Sequence, residues 1–321
     1  MLNRRQLRIK VMQTLYAFFQ SNDKRIDIAE KEMLHRIDSI YDLYLYQLLL
    51  LVELTNFFRD KMEEAKHKHL PTSEDLNPNI KIVNNKFIKQ LENNAEFLSN
   101  IESRKILLKE EQSLIRKTYL KIKKSKEYLE YLKSSDNLYD SDKDIITKLF
   151  KKFILNSFDL RCFFEEKSIY WADDYDTAGI MVLKTFKSFD ENSDNNTHLV
   201  SLYKNSNGKD AEEDKDFIIQ LFRKTIFHNK EYEKMISEKA KNWKIERIAV
   251  IDVLLMKMAL YEILESPSIP VKVSLDEYIE IAKLYSTPKS KIFINGILDK
   301  LITEFTDNNK IKKTGRGLMK H

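Results

Sequence analysis

The segment Lys289-Ser-Lys-Ile-Phe-Ile-Asn-Gly-Ile-Leu-Asp-Lys300 reads as a helix whose buried stripe is Ile294, Ile297, Leu298 and Leu301. Thr287-Pro288 opens it, with proline at a first position where a missing N–H costs nothing. Gly296 inside this helix costs about 1 kcal/mol relative to alanine, so something must compensate. Close approach of another backbone is one candidate and a ligand is the other. Phe293, flanked by Lys289 and Lys291, can serve as a base-stacking platform.

Working towards the N-terminus, Ser274-Leu-Asp-Glu277 has the pattern of a capping box before a helix over Leu275–Leu284. Pro267 and Pro270 end a helix over Ile245–Leu264, and another is predicted over Asp216–Asn242. The Asn-, Ser- and Asp-rich stretch 190–214 is the best linker in the chain. Before it lie a helix over Asp144–Trp171 and another ending near Phe189. Residues 84–133 read as two or three charged helices, and 27–69 as one long helix with an apolar middle. Residues 3–20 form an amphipathic helix on Leu7, Val11, Leu15 and Phe18, with Arg4, Arg5 and Arg8 on its other side. Three guanidiniums beside the positive end of a helix dipole make electrostatic sense if phosphates approach; a solvated basic face is the bland alternative. The tail from Asp307 is basic and is expected to be unstructured.

The chain of 321 residues has 55 Lys+Arg, 50 Asp+Glu, a net charge of +5 and 42% hydrophobic residues. That permits a core and permits, without requiring, a nucleic-acid partner. Five glycines and five prolines are too few for the turns of a Rossmann sheet, a β-sandwich or a P-loop enzyme. The reading is therefore all-α. The lone Cys162 excludes an internal disulfide and a cysteine-based zinc site. No stretch approaches the roughly 20 apolar residues that span a bilayer. The N-terminus lacks the marks of a signal peptide, so a cytoplasmic protein is expected, without cofactor or metal. Sliding the chain by the 72 residues between Trp171 and Trp243 aligns Leu149-Phe150 with Leu221-Phe222 and Glu166-Lys167 with Glu238-Lys239. A decayed duplication of a helical unit is one reading, and chance likeness of amphipathic helices is the other.

The series Asn242-Trp-Lys-Ile-Glu-Arg247, Asp252, Met258-Ala-Leu-Tyr-Glu262, Ile269-Pro-Val-Lys-Val273, Asp276-Glu277, Ala282-Lys283 and Phe293-Ile-Asn-Gly-Ile-Leu-Asp-Lys300 resembles the C-terminal half of the NusB transcription antitermination family. Arg4-Arg5, Arg8 and Gln13-Thr-Leu-Tyr16 are similar to the family's first helix. The resemblance implies an all-helical fold and a non-enzymatic factor. It implies binding of the single-stranded boxA element of ribosomal RNA leaders together with the ribosomal protein NusE, in the transcription elongation complex. It assigns the RNA surface to Arg4, Arg5, Arg8, Tyr16, Ser290, Phe293, Asn295 and Gly296, joined by Lys289 and Lys291, and a NusE contact to Asp252. Lys289 stands where the family usually has an acid, Ile292 where it has a lysine, and Ile9 where it has a glutamate.

The expected organisation is a first helix at 1–24, a helical insertion at 25–215, a NusB-like bundle at 216–305 and a tail at 306–321. Two rivals follow from the same residues. One is a protein–protein adaptor that uses the insertion without RNA. The other is a module related to RNA cytosine methyltransferases, for which the chain lacks the glycine-rich turns and a cysteine in catalytic context. Five phosphate contacts, from Arg4, Arg5, Arg8, Lys289 and Lys291, predict a salt slope of about −3.5 on single-stranded RNA.

Overall fold

The computed structural model describes residues 1–108, 111–203, 209–240 and 248–318. Among them are fifteen α-helices and no strand. They fall into two compact units, one of Met1 with 38–202 and one of 2–37 with 203–321.

The second unit is built round one helix. It contains α1 (Arg4–Gln20), the first residues of α2 (Ile26–Lys66), α11 (Lys209–Phe227), α12 (Asn229–Lys239), α13 (Val250–Glu265), α14 (Val271–Tyr285) and α15 (Ser290–Asp307). Helix α13 packs against α1, α11, α12, α14 and α15. Every residue from Leu254 to Ile263 is buried, as expected of a helix that is apolar on all sides. Three buried charged residues interrupt it at intervals of five, Asp252, Lys257 and Glu262. Five residues turn a helix by about 140°, so each faces a different neighbour. Lys257 reaches Asn229 and Glu233 on α12, both at 2.6 Å. Asp252 and Glu262 are described with the site.

The first unit holds the remainder of α2, α3 (Ser73–Leu76), α4 (Lys86–Glu92), α5 (Ala95–Ser103), α6 (Gln112–Lys123), α7 (Lys126–Lys133), α8 (Tyr139–Leu149), α9 (Phe158–Lys167) and α10 (Tyr175–Ser188). Its core is aromatic. Phe87 meets Phe186 edge-on at 5.0 Å, Tyr46 meets Trp171 at 5.5 Å, and Phe58 meets Tyr119 at 4.6 Å. The fully buried Tyr44 bonds Thr185 through its hydroxyl at 2.6 Å. Asn and Gln side chains tie down the first part of the expected linker. Gln90 donates to the carbonyls of Asp190 and Ser193, and Asn94 to that of Thr197.

Several predicted boundaries move, each for a local reason. The single helix over 144–171 is α8, a π-helical turn at Phe150–Leu155, then α9, whose start is capped by Ser157. Four helices fill 84–133, because Asn85, Asn94 and Ser125 each accept a bond from the amide three residues on and start α4, α5 and α7. The helix over 216–242 breaks at His228. Helix α14 begins at Val271, after Pro270, so Ser274 and Glu277 lie inside it and form no capping box. Helix α15 begins at Ser290, leaving Pro288 in the preceding turn.

The tail, expected to be unstructured, is ordered through Leu318 with a 3-10 turn at Gly315–Leu318. Lys313 donates to the carbonyls of Glu262 and Ser266 at 3.0 and 2.9 Å, and Thr314 N–H to that of Pro267. These carbonyls close the C-terminal end of α13, where a lysine is favoured. Shifted by 72 residues, the span of α9 falls on 230–239, within α12. Trp243 and the rest of 241–247 lie outside the described residues.

Candidate nucleic-acid interface

Helix α1 starts with a capping box, in which Asn3 accepts from Gln6 N–H and Gln6 accepts from Asn3 N–H, both at 2.8 Å. No acid lies in its first turn. The positive charge gathered there is balanced from other helices instead. Arg4 pairs with Glu213 at 2.7 Å and Asp214 at 3.2 Å, and lies 4.8 Å from the Phe217 ring. Arg5 forks onto Glu277 at 2.8 and 2.9 Å. Both keep about a third of their side chains exposed (32% and 38%). The electrostatic case for phosphate at this helix end is thus weaker than the sequence suggests.

Arg8 is corrected outright. It is 2% exposed and forks onto Glu262, which is fully buried, at 2.6 and 2.8 Å. Ser274 and Tyr278 donate to the same carboxylate at 2.7 and 3.0 Å, so a buried charge pair is closed by two hydroxyls. Burial works against the Arg8 charge, but the Glu262 carboxylate outweighs it and holds the guanidinium above its ordinary value. Burial likewise pushes the Tyr278 hydroxyl well up, with Glu262 adding to the effect. This arginine packs the bundle and does not face solvent.

Ser290 and Asp252 are corrected on the same ground. Ser290 is 2% exposed, with its hydroxyl 2.8 Å from that of Thr287 and 3.0 Å from that of Ser286. Asp252 is 4% exposed and accepts from Ser286 Oγ at 2.5 Å. Asp252 ties the α14–α15 turn to α13 through Ser286, and Ser290 braces that turn from α15. The sequence missed this because Glu262, Ser274, Tyr278 and Ser286 carry no motif as a set; they meet only after α13 and α14 pack.

The remaining residues reach solvent to different degrees. Lys289 and Lys291 are exposed, and no ion pair engages either among the described residues. Phe293 is half-buried, not exposed as expected, while its neighbour Ile292 is 71% exposed. Asn295 donates to Asp299 at 2.8 Å. Gly296 is exposed, and a Cβ placed there would meet nothing within 4 Å. The contrast is Gly179 on α10, where a Cβ would fall 2.3 Å from Leu155 Cδ1, a true packing glycine. Among the described residues no helix crossing accounts for Gly296. Glu280 on α14 feels the charges of both Arg5 and Lys291 and is held below the usual carboxylate range, chiefly by its hydrogen bond from Lys283. Arg5 and Lys291 thus gather round one carboxylate of α14.

Tyr16 is 42% exposed and lines a cleft of about 270 Å³ with Phe19, Val250, Val253 and Lys257. A polar cleft of about 460 Å³ in the first unit is lined by Asn79, Lys81, Asn84 and Asp142. Its polar groups serve one another: Lys81 donates to the carbonyls of Tyr131 and Ser134, and Asp142 accepts from Tyr131 and Lys86 N–H. No cluster of three or more His, Cys, Asp or Glu that could hold a metal occurs among the described residues. Nor is any described helix long and apolar enough to cross a membrane.

The fold and site define an all-α protein whose central helix is enclosed by five others and whose last helix opens on an uncovered, cationic turn. A NusB family model matches residues 178–303, and that region of the chain is similar to the NusB family. The transcription antitermination protein NusB of Salinibacter ruber is 47% identical over 105 residues, 33% of this chain and 66% of that protein. The protein of the same name from Chloroherpeton thalassium is 43% identical over 105 residues, 33% and 50% respectively. That from Thermodesulfovibrio yellowstonii is 44% identical over 96 residues, 30% and 64%. The chain thus spans between half and just under two thirds of these relatives. No solved structure matches.

Proposed function

We propose that this protein is a cytoplasmic, non-enzymatic transcription antitermination factor. It binds single-stranded boxA-type RNA together with NusE, within the elongation complex that transcribes ribosomal RNA. The observation that carries this reading is Gly296. A glycine in a helix costs about 1 kcal/mol, and among the described residues nothing outside its own helix turn comes near its missing side chain. A ligand laid against the start of α15 is what remains of the two candidates. Lys289 and Lys291 flank that opening with unpaired charge, and Phe293 offers a ring for base stacking. The names of the relatives support the same reading.

Arg4 and Arg5 join this surface by exchanging a carboxylate for a phosphate, which releases little counterion. Asn295 and Tyr16 complete it, and Arg8 and Ser290 support it from beneath. With Asp252 buried, the NusE contact moves to the cleft of Tyr16, Phe19, Val250 and Val253. Two free cations, in place of five, set a salt slope of about −1.4 on single-stranded RNA.

The test is a titration of a short boxA oligonucleotide, and of a scrambled one, with and without NusE. Expected are preference for boxA, tightening by NusE, and a slope near that value that collapses in a Lys289→Gln/Lys291→Gln variant. Phe293→Ala should weaken binding by roughly 1–3 kcal/mol with the fold intact. Binding of neither oligonucleotide, with or without NusE, would leave the adaptor reading in its place.

A further inference from the structure

The first unit carries 25 Lys+Arg and 28 Asp+Glu over residues 38–202, so its net charge is negative. Within it, residues 112–133 hold seven cations and two carboxylates. These are the residues of α6, α7 and the corner between them. All seven cations, Arg116, Lys117, Lys121, Lys123, Lys124, Lys126 and Lys133, are exposed. The charge is therefore segregated on one small part of an otherwise acidic unit.

Helix α6 buries Ile115, Thr118, Tyr119 and Ile122 and turns the rest outward. On that outer face Arg116, Leu120 and Lys124 follow one another at intervals of four, as do Lys117 and Lys121. Residues so spaced are surface neighbours, and like charges at this spacing destabilise a helix. Relief by carboxylates is partial. Asp159 takes Lys121 at 2.9 Å, Glu130 takes Lys126 at 3.6 Å, and Glu127 is already held by Lys152 at 2.7 Å. Among the described residues, no ion pair engages Arg116, Lys117, Lys124 or Lys133. The helix dipole accounts for lysines in the last turn but not for Arg116 and Lys117 in the first half.

We propose that the outer face of α6, with its corner into α7, is a second RNA-binding surface that holds the phosphate backbone of single-stranded RNA without regard to sequence. It supplies a second contact for longer transcripts, and its choice of RNA as the polyanion rests on the α15 reading. A lipid surface fits less well, because the apolar face of α6 is spent on the core and Leu120 and Leu129 are two single exposed leucines among the cations of α6 and α7. A row of unpaired cations with no stacking ring between them is suited to phosphates and counterion release.

The experiment uses the full chain. Wild type, an Arg116→Gln/Lys117→Gln/Lys124→Gln variant and the Lys289→Gln/Lys291→Gln variant are titrated with a long oligouridylate and a short boxA oligonucleotide over a range of salt. Circular dichroism melts of all three check the fold; Arg116, Lys117 and Lys124 are exposed and make no ion pair among the described residues, so no loss of stability is expected. The α6 variant should bind oligouridylate at least tenfold more weakly at low salt. Its salt slope should be shallower by about 2, at 0.7 per cation lost, with boxA binding unchanged. The α15 variant should lose boxA binding and keep most of its oligouridylate binding. Wild-type affinity and slope of the α6 variant on oligouridylate would overturn the proposal, as would tighter binding of phosphatidylserine vesicles than of oligouridylate by the wild type. Loss of boxA binding in neither variant, with the α6 effect present, would sink the α15 reading alone.

Discussion

Among the described residues, a methyl group at position 296 would meet no atom within 4 Å outside its own helix turn. On stability alone alanine is therefore the better residue, by about 1 kcal/mol. Gly296→Ala should raise the melting temperature and, if RNA lies against this backbone, lower affinity for boxA. Thermal melts and the oligonucleotide titration on one preparation check both signs; a stabilised variant with unchanged affinity would count against an RNA contact at this position. The sequence exposed this glycine as anomalous but could not say which cause applied. It was less informative for the arginines. Arg4, Arg5 and Arg8 differ little in local context, and only Arg8 is buried, because its partner Glu262 lies on the enclosed face of α13. Burial of one basic residue among three is decided by which helix arrives opposite it.

The same limit applies to whole elements. Periodicity located α1, α2 and α10 well, since a long apolar stripe needs no knowledge of its neighbour. It failed at starts and stops set by a single side chain, as at Asn85, Asn94 and Ser157. Ser274 and Glu277 imitate a capping box but face α13 and α1 through Glu262 and Arg5. The tail was misread for want of its target. Lys313 is half-buried against the end of α13, where its ammonium closes two carbonyls. Lys313→Met keeps the aliphatic stem and removes the donor. A cost of about 1–2 kcal/mol is expected, in the lower part of the range for a charged hydrogen bond since Glu262 O also accepts within the helix turn. Urea unfolding measures it, and an unchanged midpoint would mean the tail merely rests on the surface.

At the scale of the molecule, the second unit is assembled from two stretches, 2–37 and 203–321. The family resemblance named both stretches, yet residue patterns alone did not require them to share a core. What joins them is burial. Leu7, Val11 and Leu15 of α1 are fully enclosed, and Arg8 neutralises the buried Glu262 of α13. Each of the three apolar side chains contributes about 1.5–3 kcal/mol, and removing one partner of a buried charge pair costs about 3–5 kcal/mol. Together these are of the same size as the whole stability of a domain, about 5–15 kcal/mol. Residues 203–318 expressed alone should therefore show no cooperative unfolding transition in urea by circular dichroism. Adding a peptide of residues 2–37 should restore one, and the same peptide with Arg8→Met should restore it only at much higher concentration, since Glu262 would again be enclosed without a counter-charge. A cooperative transition in the isolated 203–318 fragment would show that α13 is held by its C-terminal neighbours alone and that the Arg8–Glu262 pair contributes little.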